Sequence, residues 1–217
     1  MSRTGRGHGR ITHGVHLRGT RIGDDAVTLL EGCRTTSLPR TVVDLARTLP
    51  FDWAVAVADA ALARQLSRAA LDEQLELSHG WPGNVKARSA IAFADPRSES
   101  PGESRSRAIF AMGGLPAPVL QFNVRANGIL LGRSDFAWEA ARLLGEFDGK
   151  SKYGEHARPG ESPSDVLFRE KAREERFREQ GWSVVRWVWS DLNDPDALCA
   201  RVSQALTNGR RRVAWRN

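Results

Sequence analysis

Two neighbouring segments of the chain, residues 129–138 and 142–150, alternate between apolar and polar residues, and this pattern constrains the fold more than any other. Alternation with a period of two predicts β-strands. If the chain turns at residues 139–142, residues whose numbers sum to 281 face each other, so Asp135 lies opposite Glu146. Like charges that face each other directly destabilise a β-ladder. We therefore expect a fold that keeps this pair to place a cation between the two carboxylates.

Further charged residues share the predicted face of this hairpin. Asp148 and Lys150 follow Glu146 at intervals of two, and Arg133 precedes Asp135 on the first strand. Hydrolysis of a phosphodiester with a divalent metal needs carboxylates to hold the ion and a cation to position the attacking water. The candidate metal ligands are Asp135, Glu146 and Asp148, and the candidate catalytic cation is Lys150. The alternative interpretation is a solvated hairpin face with an Arg133–Asp148 ion pair and two unrelated acids.

Composition narrows the class of protein. The chain has 217 residues and a formal net charge of +6, and most of its basic residues are arginine. Arginine binds phosphate bidentately, so a nucleic-acid partner is compatible with this charge, although Arg-rich usage can also reflect genome composition. The sequence contains neither a run of about 18 apolar residues nor a secretory signal. Cys33 and Cys199 predict neither a disulfide framework nor a zinc site, so we expect a cytoplasmic protein with no membrane partner.

A segment rich in proline, serine, glycine and charge divides the chain. Residues 96–102 are predicted to be a linker between a mostly helical domain at residues 15–95 and a domain of mixed α and β structure at residues 103–208. Excess basic charge lies at the two ends of the chain. We interpret residues 1–14 as a flexible basic tail and residues 209–217 as a second basic tail.

The pattern of start and stop signals predicts the order of elements. The first domain is expected to begin with short strands at residues 15–18 and 27–30. Four helices are expected to follow, at residues 41–47, 52–65, 68–78 and 84–94. In the second domain, Ser100 caps a helix that ends at Gly113, and Ser162 caps a helix that ends at Gly181. Strands are predicted at 118–125, in the hairpin and at 182–189, and a last helix at 194–208. The order α-β-β-β-α-β-α predicts an α/β sandwich with a mixed sheet.

The motifs of the second domain, taken in order, are similar to those of a known family. They are Asp135-Phe136, then Glu146-Phe147-Asp148-Gly149, then the charged helix segment 170–174, then Gly181-Trp182 and the strand that carries Arg186. This succession resembles the PD-(D/E)XK nuclease superfamily, and in particular its very-short-patch-repair-like endonuclease branch. The resemblance implies a restriction-endonuclease-like α/β sandwich with a mixed central sheet, DNA as substrate, and Mg²⁺ or Mn²⁺ as cofactor.

Two departures from the family pattern concern the hairpin. Ser134 stands where the family has proline before the first acid, and Asp148 stands where lysine is expected if Glu146 is the acid of the acid-x-Lys motif. In a second alignment Asp148-Gly149-Lys150 is that motif, and Glu146 is an additional ligand. The resemblance implies Asp135 and Glu146 as metal ligands, with Asp148 as a further one, and the sequence leaves both alignments open.

Other residues are candidates for the same site or for DNA contacts. Glu103 is the candidate helix-borne acid of the site, although its position three residues after Ser100 also predicts a capping box. The candidate nucleic-acid-binding residues are Lys152, Lys171, Arg173 and Arg186. A solvated, ion-paired helix face is the alternative for the residues of the second capped helix. Trp182, Trp187 and Trp189 are interpreted as core residues rather than platforms for bases.

Residues 15–66 of the first half resemble the middle region of abortive-infection-type antitoxin regulators, chiefly through the segment 35–47. The resemblance implies an antitoxin-like domain whose further partner is a toxin or a winged-helix regulator. Asp44 and Asp59 are interpreted as charges on helix surfaces. The leading hypothesis for the whole chain is a metal-dependent DNA endonuclease. The alternative is a non-catalytic DNA-binding regulator that retains a nuclease fold.

Overall fold

The computed structural model describes residues 2–3, 10–12, 15–19, 22–23, 26–149 and 162–215. These residues contain nine strands and seven α-helices. The strands are β1 (Ser2–Arg3), β2 (Arg10–Thr12), β3 (Val15–Gly19), β4 (Val27–Leu30), β5 (Cys33–Thr36), β6 (Val119–Ala126), β7 (Ile129–Trp138), β8 (Leu143–Asp148) and β9 (Ser183–Val188). The helices are α1 (Leu38–Ala46), α2 (Phe51–Ala63), α3 (Arg68–Leu77), α4 (Asn84–Phe93), α5 (Pro101–Met112), α6 (Pro163–Glu179) and α7 (Pro195–Ala214).

The N-terminal strands form two small sheets. Strand β3 pairs with β1 in parallel and with β2 in antiparallel orientation, so described residues within the predicted tail at 1–14 take part in strands. Strands β4 and β5 form an antiparallel hairpin. Its two-residue turn consists of Glu31 and Gly32, both with positive φ, as expected of the turn that matches the twist of a tight hairpin.

Helices α1 to α4 pack around an apolar core, whose most buried members include Val43, Val55, Leu71 and Ile91. The helix starts follow the sequence signals. The hydroxyl of Ser67 accepts a hydrogen bond from the N–H of Ala70, which caps α3 as expected. The four helices predicted from the sequence are confirmed. No helix in the part of the chain that the structure describes is long and apolar enough to cross a membrane.

The larger sheet has the strand order β6-β7-β8-β9, in which β8 and β9 are parallel and the other pairs are antiparallel. Helices α5 and α7 pack on one face, where Phe110, Phe136 and Trp187 are buried. Helix α6 packs on the other face, where its Phe177 lies in one cluster with Leu144 of β8. The predicted class, mixed α and β with a mixed sheet, is confirmed. The predicted register of the hairpin is also correct, because Phe136 pairs with Gly145, and their numbers sum to 281.

Helix α5 belongs to both cores. Its Ala108 lies in the core of the helical region, and its Phe110 lies in the core under the sheet. Arg107 of α5 binds both carboxylate oxygens of Asp59 on α2 at 2.9 and 2.8 Å. Asp59 is 0% exposed, so its interpretation as a surface charge is wrong: it neutralises a buried guanidinium between two helices. The predicted boundary at 96–102 thus ends in a helix that packs against both regions.

Helix α7 continues to Ala214, so the segment 209–214, predicted as part of a basic tail, is helical. The physical reason is the spacing of its buried residues. Val202, Leu206 and Gly209 recur at intervals of three and four and face the rest of the molecule, so burial carries the helix past its predicted end. Residues beyond 215 lie outside the described part.

Replacing Gly209 by alanine is expected to destabilise the fold. A Cβ at this position would lie 2.0 Å from the backbone carbonyl oxygen of Ala141, which belongs to the turn before β8. Alanine favours a helix over glycine by about 1 kcal/mol. Overpacking against a fixed backbone atom costs about 1–3 kcal/mol and therefore outweighs that gain. Urea denaturation checks the prediction, with exposed Asn208→Ala on the same helix as the control. A Gly209→Ala protein as stable as wild type would contradict it.

Candidate active site

Three acidic side chains come from three elements, and two of them lie near enough to the third, Asp135, for their charges to act on it. They are Glu103 in the first turn of α5, Asp135 on β7 and Glu146 on β8. Burial, and then the neighbouring charges of Glu103 and Glu146, raise the pKa of Asp135 to about 7, although the N–H of Phe147 donates to its Oδ2 at 2.9 Å and opposes the shift. An aspartate in water has a pKa near 3.9. The site therefore holds mutually repelling carboxylates in a partly desolvated place.

The structure gives Glu103 both of its predicted surroundings. Its N–H donates to the hydroxyl of Ser100 at 3.2 Å, and its Oε2 accepts from the N–H of Glu99 at 3.0 Å. These bonds fix the first turn of α5, and the positive end of the helix favours a carboxylate there. The same Oε2 accepts a bond of 2.7 Å from the side-chain amide of Gln121. The capping role and the place near Asp135 therefore coexist.

Glu146 is held by two arginines. Its cross-strand neighbour Arg186 donates to Oε2 from Nε at 3.0 Å, and a guanidinium nitrogen of Arg173 lies 2.9 Å from Oε1. The second contact is an ion pair without hydrogen-bond alignment, since Oε1 has no hydrogen-bond partner among the described residues. Arg186 also binds Glu174, and this bond lowers the pKa of Glu174. Two residues predicted to contact DNA are thus bound to carboxylates of the protein itself.

The remaining predicted residues lie at the edges of the site or outside the described part. Asp148 is exposed at the end of β8, and Lys171 is exposed on α6. Arg133 pairs with Glu99 at 2.6 Å, so it is engaged outside the Arg133–Asp148 pair of the alternative interpretation. Lys150 and Lys152 lie outside the described residues. The structure thus places Glu103 and Glu146 near Asp135, whereas the two lysines lie outside the residues that it describes.

Gln121 is a site residue that the sequence did not single out. It lies on β6 between the residue pairs Leu120–Phe136 and Phe122–Ser134, and so across from Asp135. Its φ is +51°, in the left-handed region that residues other than glycine rarely adopt. Its position between apolar neighbours is that of an ordinary strand residue. A single sequence therefore offers no signal for its unusual backbone or for its contact with Glu103.

The donor types at this site fit a divalent cation of the Mg²⁺ or Mn²⁺ kind. Carboxylate and amide oxygens are the ligands that such ions take. Oε1 of Gln121 is buried with no hydrogen bond to any described residue, and Oε1 of Glu146 has only its ion pair with Arg173. Burial, and then the charges of Glu103 and Glu146, raise the pKa of Asp135. However, no three Asp, Glu, His or Cys side chains within the described ranges are grouped to hold a metal ion. Glu103 and Asp135 would hold such an ion, whereas Glu146 is ion-paired to Arg173 and Arg186.

Of the three tryptophans weighed as platforms for bases, two are buried and Trp189 is partly buried. Trp182 and Trp187 are buried in the two cores of the sheet, and Trp189 stacks on Trp53 of α2 at a centroid distance of 6.4 Å. All three rings pack in or against a core, in agreement with their interpretation as core residues.

A basic groove of about 560 Å³ lies near the start of β8 and β9. Three arginines line it, Arg142, Arg178 and Arg212. The guanidinium of Arg142 lies 5.0 Å from the centroid of the Trp182 ring, and Arg212 donates to the hydroxyl of Ser183. A cluster of guanidinium groups at an open groove is suited to phosphate.

Two relatives in Mycobacterium tuberculosis are similar to the chain. Each is described as an uncharacterized protein, one in strain CDC 1551 / Oshkosh and one in strain ATCC 25618 / H37Rv. Each is 34% identical over 183 residues, which make up 83% of this chain and 65% of the relative. The chain thus spans slightly less than two thirds of the length of these relatives. No protein-family model and no solved structure matches the chain.

Proposed function

We propose that the protein is a metal-dependent DNA endonuclease of the very-short-patch-repair-like type, which hydrolyses phosphodiester bonds in the cytoplasm. The observation that carries the proposal is the placement of Glu103, at a helix terminus, and Glu146, on a neighbouring strand, near the partly desolvated Asp135. A carboxyl group whose pKa is raised by burial and by two like charges costs stability, and perturbed pKa values cluster at functional sites. The resemblance of the hairpin motifs to PD-(D/E)XK nucleases supports the same reaction.

In the proposed reaction, different residues of the chain would bind the metal, orient the water and bind the phosphate. Glu103 and Asp135 would hold Mg²⁺ or Mn²⁺, with Asp148 at the open edge and Glu146 as further ligands. The bound ion would supply an activated water and offset charge on the phosphate. Lys150 would orient that water. Arg173 and Arg186 lie beside Glu146 and would bind the phosphate oxygens of DNA, together with Lys152 and Lys171.

The second candidate function is a DNA-binding regulator without cleavage, which acts with a toxin or a winged-helix partner. One observation favours it: the carboxylate of Glu146 is ion-paired to Arg173 and Arg186, which occupy the oxygens that a metal ion would need. The basic groove at Arg142 and Arg212 would then hold the DNA backbone.

Cleavage of supercoiled and branched DNA with Mg²⁺ or Mn²⁺ tests the proposal. Wild-type protein is expected to cut, and Glu103→Gln, Asp135→Asn and Glu146→Gln are each expected to lose cutting while they retain DNA binding in a gel-shift assay. These changes keep the shape of each side chain and remove one negative charge. Exposed Asp72→Asn on α3 is the matched control and is expected to cut like wild type.

Cutting that persists in the Asp135 and Glu146 variants would contradict the site. Absence of cutting on every substrate, combined with DNA binding that EDTA does not alter, would favour the regulator. In that case Arg142→Ala with Arg212→Ala is expected to weaken DNA binding more than any change at the acids, because the backbone phosphates would lie in the groove.

A further inference from the structure

The backbone at Gln121 is strained in the middle of a strand. Four other residues apart from glycine share a positive φ in the described part: Glu31, Gln65, Asn127 and Arg142. All four lie in turns or at ends of elements, where the chain must reverse. Gln121 instead lies within β6, and a left-handed glutamine in a strand is an outlier that the surroundings must enforce.

The left-handed backbone at Gln121 reverses the face of the sheet to which the following side chains of β6 point. Residues two apart on a regular strand point to the same face. Leu120 packs in the core with α5 and α7, whereas Phe122 packs against Trp182 on the opposite face, at a centroid distance of 5.3 Å. Glycine or asparagine would make this reversal with less strain than glutamine. The reversal alone therefore explains the backbone but not the choice of side chain.

The side chain of Gln121 accounts for that choice. Its amide nitrogen donates to Oε2 of Glu103 at 2.7 Å, across from Asp135. Because a carboxylate only accepts, the amide nitrogen faces Glu103 and the amide oxygen faces away from it. That oxygen is buried and without a hydrogen-bond partner within the described part of the chain. A buried acceptor left unpaired is costly, so the side chain of Gln121 adds to the cost of its strained backbone.

We propose that Gln121 is the positioning residue of this site: through its amide nitrogen it holds the Glu103 carboxylate near Asp135, in the place from which Glu103 would bind a cation. The inference rests on the proposed function and deepens it. Partners that orient a ligand typically change metal affinity by 10- to 100-fold when they are removed. The strained backbone is retained because it aims this amide, at the expense of stability.

Two variants separate the side chain from the backbone. Gln121→Asn adopts the left-handed conformation more readily but is one methylene too short to reach Glu103, and Gln121→Met has the length without the amide. Both are expected to bind Mn²⁺ at least tenfold more weakly than wild type, measured by the EPR signal of free Mn²⁺. The melting temperature of Gln121→Asn in EDTA is expected to equal or exceed that of wild type. Asn127→Gly, in the turn between β6 and β7, is the control and is expected to keep wild-type Mn²⁺ affinity.

The outcomes are distinct. Wild-type protein that binds no Mn²⁺ would overturn the proposed function and this inference together. Wild-type binding that both Gln121 variants match would overturn the inference alone. Metal-free melting temperatures that fall by several degrees in both variants, with Mn²⁺ affinity kept, would make Gln121 a structural residue and also overturn it. Weaker Mn²⁺ binding by a variant that melts like wild type supports it.

Discussion

Asp135→Asn is expected to stabilise the metal-free protein at pH 8 by on the order of 3–4 kcal/mol, although it removes a central residue of the proposed active site. Burial and the charges of Glu103 and Glu146 raise the pKa of Asp135 to about 7 in the folded state. Asparagine has no charge to bury and still accepts the bond from the N–H of Phe147.

The sign of the effect follows from proton binding. Between the ordinary pKa near 3.9 and the folded value of about 7, the folded state binds more protons at Asp135 than the unfolded state does. Its contribution to stability therefore falls as the pH rises through this window and is constant above it. The advantage of Asp135→Asn should be small at pH 4, grow up to about pH 7 and then level off.

Urea denaturation in EDTA at a series of pH values measures this advantage. Exposed Asp72→Asn is the matched control and should show the pH profile of wild type. A variant at 135 that is less stable than wild type at pH 8, or whose advantage does not depend on pH, would show that folding does not raise the pKa of Asp135.

Asp59→Ala is expected to lower the free energy of unfolding by about 3–5 kcal/mol, because it leaves a buried guanidinium without its counter-charge. Arg107 binds both oxygens of Asp59, and Asp59 also accepts the N–H of Asp95 at 2.7 Å. The loss should appear as a lower urea midpoint. Because Arg107 lies on α5 one turn after Glu103, Asp59→Ala is also expected to disturb the position of Glu103 in the candidate site.

Two comparisons make the Asp59 measurement specific. Glu76 forms an exposed ion pair with Arg88 at 2.7 Å, and Glu76→Ala is expected to leave the urea midpoint unchanged. The double variant Asp59→Leu/Arg107→Met replaces the pair by apolar side chains and is expected to recover most of the lost stability. A double variant as unstable as Asp59→Ala would indicate that the other bonds of Asp59, rather than the buried charge, carry the effect.

Local patterns in the sequence predicted the elements and the hairpin register well. Period-two alternation determines which residues of β7 and β8 share a face, and the turn at residues 139–142 determines the pairing. Paired residues therefore have numbers that sum to 281, as predicted. Caps at Ser100 and Ser162 are equally local, since each depends on a hydroxyl and the backbone three residues on. These features need no knowledge of the rest of the chain.

Features that depend on distant contacts were not predictable from one sequence. Asp59 lies in an alanine-rich helix, and only the packing of α5 against α2 decides that it is buried. Arg186 meets Glu146 because β9 pairs in parallel with β8 after a long connection, so the arginines predicted to bind DNA are engaged with carboxylates. The left-handed Gln121 depends on two cores on opposite faces of one strand.

The reversal at Gln121 also bears on how the chain avoids self-association. Strand β6 is an edge of the four-stranded sheet and lies beside the exposed apolar pair Ile129 and Leu130 at the start of β7. A long flat edge next to such residues would be a template for pairing with a second copy. The turn-over at Gln121 and the register shift at Val124 interrupt the row of free backbone groups. The left-handed backbone that orients the side-chain amide of Gln121 thus also makes the β6 edge a poor template for aggregation.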